Sequence, residues 1–511
     1  MADNLRYFDT NVVETKDIGQ VVSEMMQYAQ DSRRGFERRW YDNNFFDDGY
    51  HFRYLSRQEN KVVDLAERAT LQSPLRAIPK ASMQIRGIAN LIASQKYLPI
   101  IYPEKINAAS FQPTQDPTGQ MIPNPQYKQA LNEAKRIARL SGHWVEEELK
   151  KQLFFQKFAH MLILAGKHGV SYMEIWPDSV KEEIKMQVFD AFDIYLMGSL
   201  TDISDSPFII KAAPKRIAEI KANEDFDKSQ LEKISPDNRQ ASSDIKEAYM
   251  NARFNQISQA DQQATLIEKE AFIKEYLNRD NIEKIARQGN AADILKDKKA
   301  GDMVIRHTFV AGNVWLSDEY LNLPDYPIVD LRMEPGPIYG VPRIERFIPA
   351  NKSLDLLVSR AERYSHTMVT GSWSKKQGEQ FNINNTAGGQ VIEYQATPPI
   401  QNPIASIPPF YFNLMNLMSQ IIDEQGVATS ALNNIPSGVK AHAAIESLKE
   451  TEFANLTIPL EMAKGTVKRI CEKLLDYADN YFVTPQTVYY LEKGEPQYFD
   501  IVGNSGANRL A

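Results

Sequence analysis

One cysteine, Cys471, among 511 residues leaves no partner for a disulfide and no thiol set for a structural zinc site. It fits manufacture in a reducing compartment. Long apolar runs are missing too. The most hydrophobic short stretch, FAHMLILAG at 158–166, is too short to cross a bilayer and is closed by Lys167 and His168. A buried helix or strand of a soluble chain is expected there, and no membrane partner. The opening residues, MADNLRYFDTNVVETK, lack the basic-then-apolar order of a secretory leader. Positive charge is not in excess. With a formal net charge of −7, nothing draws the whole chain to nucleic acid or anionic lipid, although a local basic patch is not excluded.

Catalytic signatures are equally scarce. There is no GxxxxGK[ST] phosphate loop, so the chain is not expected to be a motor ATPase. There is no GxGxxG after a strand and no GxSxG elbow. His160 and His168 have no HExxH or Cys/His spacing around them, and neither a metal nor a cofactor is expected. His143 and Glu147 read as an i,i+4 polar pair on a helix. Asp47-Asp48-Gly49 reads as a turn, and Asp202 and Asp205 as helix caps. An alternative is a metal-dependent nuclease built from Asp202, Asp205 and Glu174, which would need those three carboxylates to converge.

What is present is an ordered composition, 43% hydrophobic, 24% charged and 10% aromatic, long enough for two or more packed modules. In GQVVSEMMQYAQDSRRGFERRW the residues Val21, Val22, Met25, Met26 and Ala29 share a helical face, and an aromatic, acidic turn, WYDNNFFDDGYHFRYL, follows. Pro79 opens a second amphipathic helix with Ile85, Ile88, Leu91 and Ile92 on one side. Residues 107–126, rich in Pro, Gln and Asn, read as surface loop. From Lys128 a helical period runs to about Ala165, and strands VSYMEIW and MQVFDAFDIYL come next. The charged stretch 214–300 reads as solvent-washed helices broken near Pro236 and Gly289. Met303–Val310 and Val314–Tyr320 flank Ala311-Gly312-Asn313 as a hairpin. Residues 1–335 are thus expected to be α+β.

The remainder has another character. PGPIYGVPR leads into RIERFIPANKSLDLLVSRAERYSHTMV, a helix with Leu354, Leu357, Val358 and Ala361 on one face. Arg343, Arg346, Lys352, Arg360 and Arg363 lie elsewhere on it, suited to a solvated face or to phosphate. Residues 370–409 hold one clear strand, GQVIEYQ, and a helix, FYFNLMNLMSQIIDEQ, starts after Pro409. A supple, nearly uncharged loop, GVATSALNNIPSGVKAHAAIESL at 426–448, precedes one long helix bent at Pro459. Val467, Ile470, Cys471, Leu474, Ala478 and Tyr481 form the stripe of that helix. TVYYLEKGEPQYFDIVG ends the order as a hairpin with Lys493-Gly494 at its turn.

That order, with these residues, resembles the portal proteins of tailed bacteriophages, most closely the large portals of short-tailed phages. PGPIYGVPRIERFIPANKSLDLLVSRAERY is similar to a portal's entry turn and first stem helix, TAGGQVIEYQATPPIQNPIASIPPF to a clip, and FYFNLMNLMSQIIDEQGV to a second stem helix. GVATSALNNIPSGVKAHAAIESL resembles a tunnel loop, and TIPLE the bend of the long helix beyond it. QIRGIANLIASQKYLPIIYP, WPDSVKEEIKMQVFDAFDIYL and LTDISDSPFIIKAAPKRIAEI resemble wing segments. The resemblance implies a mainly helical α+β subunit of a ring, usually of twelve copies. Its parts would be a wing (1–335), first stem helix (336–369), clip (370–408), second stem helix (409–427), tunnel loop (428–444), kinked helix (445–484) and C-terminal hairpin (485–511). Such a ring, assembled in the host cytoplasm, sits at one capsid vertex of the virion and conducts double-stranded DNA. Its partners would be the terminase large subunit, the major capsid and scaffolding proteins, and a tail adaptor. It would not be an enzyme. Ser430, Asn433, Asn434, Pro436, Gly438, Lys440 and His442 would face the DNA, with Lys440 the only formal charge from 426 to 445. The other structural alternative is a capsid or tail adaptor ring that never touches DNA.

Overall fold

A computed structural model describes residues 13–55, 62–65, 75–95, 97, 100–103, 114–115, 121–122, 125–178, 183–198, 200–234, 265–278, 282–286, 294–295, 298–369, 372–378, 390–395, 407–426, 456–481, 486–492 and 495–501. They form a mixed α+β fold of several helices and small, mainly antiparallel sheets.

The first helix, α1 (Ile18–Asp47), serves two cores. Val22, Met25, Met26 and Ala29 pack against Phe208, Ile210, Ala271 and Ile273 of one sheet, whereas Trp40, Tyr41, Phe45 and Phe46 enter the main core. The second set corrects the turn expected over residues 40–55. Those aromatic side chains are buried, and their packing carries the helix to Asp47, with Gly49 (φ 86°) just beyond its end. Short strands β1 (Arg53–Leu55) and β2 (Val62–Asp64) pair next. Helix α2 (Lys80–Ser94) buries Ile85, Ile88 and Ile92 as its spacing predicts. Strands β3 (Thr114–Gln115) and β4 (Met121–Ile122) pair within the expected loop.

The single helical run expected from 128 to 165 is two helices, α3 (Pro125–Lys151) and α4 (Phe154–His168), because Leu153 adopts a left-handed φ of 52° between them. FAHMLILAG lies in α4, with Phe158, Met161, Leu162 and Ala165 buried. Strands β5 (Val170–Asp178) and β6 (Glu183–Phe189) follow, then β7 (Ile194–Leu196). The expected strand 186–196 is therefore broken, and β6 and β7 belong to different sheets. A buried arginine holds the corner: the Arg33 guanidinium donates to the carbonyls of Ala191, Phe192 and Ile194 at 3.2, 2.9 and 2.7 Å.

Strand β8 (Phe208–Arg216) is followed by short helices α5 (Ile217–Lys221) and α6 (Lys228–Leu231). The charged stretch then departs from expectation, because Thr265–Tyr276 is a strand, β9, at the centre of a sheet. Its Glu268, Lys269 and Glu270 are buried, and each is paired across strands or to α1: Lys215 reaches Glu268, Lys211 reaches Glu270 and Lys269 reaches Ser23. Charge there is neutralised inside the sheet, not washed by solvent. Pro236 and Gly289 lie outside the described residues. Short helix α7 (Ile282–Ala286) precedes β10 (Met303–Ala311) and β11 (Val314–Leu321), which form the expected hairpin around Gly312 (φ 61°). The five-stranded antiparallel order is β11-β10-β9-β8-β7, and β12 (Ile328–Arg332) completes a second sheet, β12-β5-β6.

Helices α8 (Ile348–Val369), α9 (Pro409–Gln425) and α10 (Thr457–Tyr481) make the rest. Between α8 and α9, β13 (Ser372–Lys376) pairs in parallel with β14 (Gln390–Tyr394), the strand legible as GQVIEYQ. The α10 stripe is buried at Val467, Ile470, Cys471, Leu474 and Ala478, and Tyr477 joins it. Burial pushes the Cys471 thiol up to about 12, so it packs as a hydrophobe. β15 (Gln486–Glu492) and β16 (Glu495–Ile501) pair antiparallel, with Lys493-Gly494 outside the described residues.

The stiff PGPIYGVPR segment has a specific place. Gly169 (φ 94°) and Gly340 (φ 64°) cross so closely that a Cβ on Gly340 would lie 2.1 Å from the Gly169 carbonyl oxygen. This crossing seats the entrance to α8 against the start of β5. Gly340→Ala should destabilise the chain by more than about 2 kcal/mol in urea unfolding, since it combines strain with backbone overlap.

Candidate assembly and channel surface

The start of α2 lacks a cap of its own, because Pro79 precedes it. Helix α8 supplies the missing acceptors. Asn351 Oδ1 accepts from the Ala81 N–H at 2.9 Å and Asp355 Oδ1 from the Ile78 N–H at 2.8 Å. Asn351 also donates to the Ile78 carbonyl at 2.9 Å, and His51 Nδ1 lies 2.6 Å from Asp355 Oδ2 with its ring stacked on Phe46. One turn on, Ser359 Oγ accepts from the Arg76 N–H at 2.8 Å. The same platform grips the other end of α9. Lys80 Nζ meets Asp423 at 2.7 Å and also reaches Ser419, while Gln84 donates to Asp423 at 2.8 Å.

The first turns of α8 and the last turns of α9 therefore dock side by side on α2. The two helices run antiparallel, with Val369 and Pro409 at the far ends. Packing fades along α9. Ile422 is buried, whereas Phe410, Phe412, Leu414 and Leu417 are 63%, 51%, 36% and 48% exposed. PFYFNLMNLMSQII carries no charged residue before Asp423. An amphipathic surface helix shows polar groups opposite its apolar stripe, and this one carries no charge before its last turn. Such a helix is suited to a further protein surface, and the signal was readable in the sequence as a charge-free run.

The five basic residues divide. Lys352, Arg360 and Arg363 are exposed and fall with Leu356, at four-, four- and three-residue steps, along one stripe of α8. Arg343 and Arg346 do not join them. Both clasp Glu334, at 3.1 and 2.5 Å, and Arg343 is buried at the base of the hairpin. Burial lowers the Arg343 pKa despite the Glu334 charge. Pro459 is buried in the first turn of α10, where Leu460 N–H bonds the Leu456 carbonyl at 2.9 Å. Proline is tolerated at that position, and residues 427–455, on the other side of the expected bend, lie outside the described residues. Ser430, Asn433, Asn434, Pro436, Gly438, Lys440 and His442 lie there too.

The carboxylates considered for metal chemistry have other occupations. Glu174 accepts from Lys211 at 2.7 Å. Asp202 Oδ1 accepts from the Ser204 N–H at 2.9 Å, which makes a local turn and not a helix cap. Asp205 is exposed. Among the described residues no three His, Cys, Asp or Glu side chains are placed to hold a metal ion. Asp47 is tied to Ser82, Lys167 and Arg86. Glu147 pairs with Lys150 at 3.0 Å. Among the described residues no helix is long and apolar enough to cross a membrane. Sequence reasoning missed the polar junction of His51 with Asn351 and Asp355, because His51 lies about 300 positions before the other two.

No model of a known protein family matches the chain, and no curated protein matches it either.

The division of the basic residues has a measurable consequence. Arg343→Ala should cost about 1–3 kcal/mol of stability in denaturant titration, because a buried cation and its Glu334 contact are lost. Arg360→Ala should stay within about 0.5 kcal/mol of the parent.

Proposed function

We infer that the chain is the subunit of a phage portal, a ring through which double-stranded DNA enters and leaves a capsid. The observation that carries this reading is α9, a helix without charge from Pro409 to Ile422 whose Phe410, Phe412, Leu414 and Leu417 are exposed. In a ring each copy offers one surface to the next and receives a different one, so a helix bare in one chain is covered by its neighbour. In this reading the segment between α8 and α9, which carries β13 and β14, is the clip that receives the terminase motor. The sequence has no ATPase loop of its own, as suits a conduit served by a separate motor.

Residues 426–448 follow α9 in the sequence, after Asp423, which Lys80 clamps. In the proposed ring they line the narrowest passage. Each phosphate neutralised by a cation releases counterions and tightens binding, and symmetry multiplies every such contact. A loop whose only formal charge before Glu446 is Lys440 lets DNA slide, while Asn433, Asn434 and Ser430 provide short-lived polar contacts. The adaptor-ring alternative shares the α9 argument and differs in never meeting DNA.

Two experiments test this, the first the role of α9 in either ring and the second the contact with DNA. Leu414→Asp with Leu417→Asp should abolish the assembly seen by sedimentation velocity and leave a folded single chain, since both side chains are exposed there. Undiminished assembly in the double variant would contradict the role given to α9. Deleting residues 433–438 should leave assembly intact but reduce DNA packaging at least about tenfold in a reconstituted system. Unchanged packaging would favour the adaptor.

A further inference from the structure

The two sheets of the body are joined by a buried chain of ionisable groups. Glu174 belongs to β5 in the three-stranded sheet, and Lys211, Glu270, His307 and Glu319 belong to β8, β9, β10 and β11 of the five-stranded one. Lys211 Nζ lies 2.7 Å from Glu174 and 2.5 Å from Glu270, with the Phe189 ring of β6 at 4.9 Å. His307 Nε2 is 2.9 Å from Glu270 and Nδ1 is 3.0 Å from Glu319. Phe272 stacks on the imidazole at 4.7 Å, and Trp176 of β5 packs against it at 5.0 Å. His307 is only 2% exposed, whereas the Glu319 side chain at the outer end is 44% exposed.

A carboxylate oxygen at each ring nitrogen sets the protonation state. A carboxylate only accepts, so both contacts are hydrogen bonds only when both nitrogens carry protons. A neutral imidazole satisfies one carboxylate and turns a lone pair on the other. With the imidazolium present, three carboxylates face two cations. Without it, the same three face Lys211 alone.

We propose that this chain is a proton-operated latch on the β10–β11 edge of the five-stranded sheet, where β5 of the other sheet packs against it, closed when His307 is an imidazolium and loosened when its Nδ1 proton leaves to solvent past Glu319. The proton's departure breaks the side-chain link from β10 to β11 and leaves Glu270 and Glu319 mutually repelling beside Trp176 of β5, which packs on the imidazole between them, while the Lys211–Glu174 bridge between the sheets remains. Burial disfavours the charged ring, but the hydrogen bonds and charges of Glu270 and Glu319 outweigh it and raise the His307 pKa. Burial likewise opposes ionisation of Glu270, yet His307 and Lys211 bring it down to about 2. Burial, reinforced by Glu270, raises Glu174 against the pull of Lys211. A histidine raised on folding stabilises fully below its unfolded value of about 6.5, and that stabilisation is lost as pH rises through the folded value. The latch is thus closed in mild acid and opens on the alkaline side. It does not depend on the portal reading.

Hydrogen–deuterium exchange of the full chain, corrected for the intrinsic pH dependence of amide exchange, tests it. Protection of residues 303–321 and 170–178 should hold at low pH and fall at least about threefold above the His307 midpoint, with residues 457–481 unchanged. In His307→Gln the pH step should vanish. Glu319→Gln, at the exposed end, should keep the fold and move the step down by about half a pH unit, because one partner of the imidazolium is gone. No step in the parent, an equal step in all three regions, or a step unmoved by Glu319→Gln would each overturn the proposal.

Discussion

The uncapped start of α2 is the constraint on which the rest of the molecule turns. Backbone donors at a helix start need acceptors, and here Asn351 and Asp355 of a helix some 270 positions away provide them. Because those acceptors are side chains of α8, satisfying α2 also fixes where α8 leaves the body. Lys80 and Gln84 extend the same logic to Asp423, and so to the last turn of α9. Leu354 and Ile422 of the two helices join the main core, and these polar contacts fix the same ends of the pair against α2. The exposed α9, on which the proposed assembly rests, inherits its position from this junction.

A second consequence is how the body tolerates so much buried charge. Arg33, Arg306, His307, Glu270 and Asp330 are nearly inaccessible, and each has partners on other elements. Arg306 is bracketed by Asp318 and Glu275, and Asp330 by Arg332 and Arg469. Breaking one partner of such a pair is costly, so these residues specify which strand lies beside which more than they add net stability. The apolar clusters supply the burial; the ion pairs supply the register.

Legibility from sequence followed this division. The amphipathic stripes of α1, α2 and α10 and the Gly312 hairpin were readable because their apolar residues recur with the period of the element. β9 was not, since TLIEKEAFIKEY looks like a solvated helix until Lys211, Lys215 and Ser23 are seen to absorb its charges. The end of α1 was misjudged for a related reason: Asp and Asn among aromatics suggest a turn, and only the tertiary partners of Trp40 and Phe45 keep the chain helical. Of the five basic residues that spacing sets apart from the apolar face, Lys352, Arg360 and Arg363 are exposed along α8, whereas Arg343 and Arg346 serve Glu334 across a turn that spacing does not reveal. The absence of charge from Pro409 to Ile422 of α9 is legible in the sequence, and the exposure of Phe410, Phe412, Leu414 and Leu417 is not.

Electron microscopy of the purified full-length chain tests the central claim most directly. The account predicts closed rings with an axial hole wide enough for a DNA duplex, with α9 of each copy covered by the next. Single-chain particles with α9 left bare at micromolar concentration, or rings whose hole cannot admit a duplex, would contradict it.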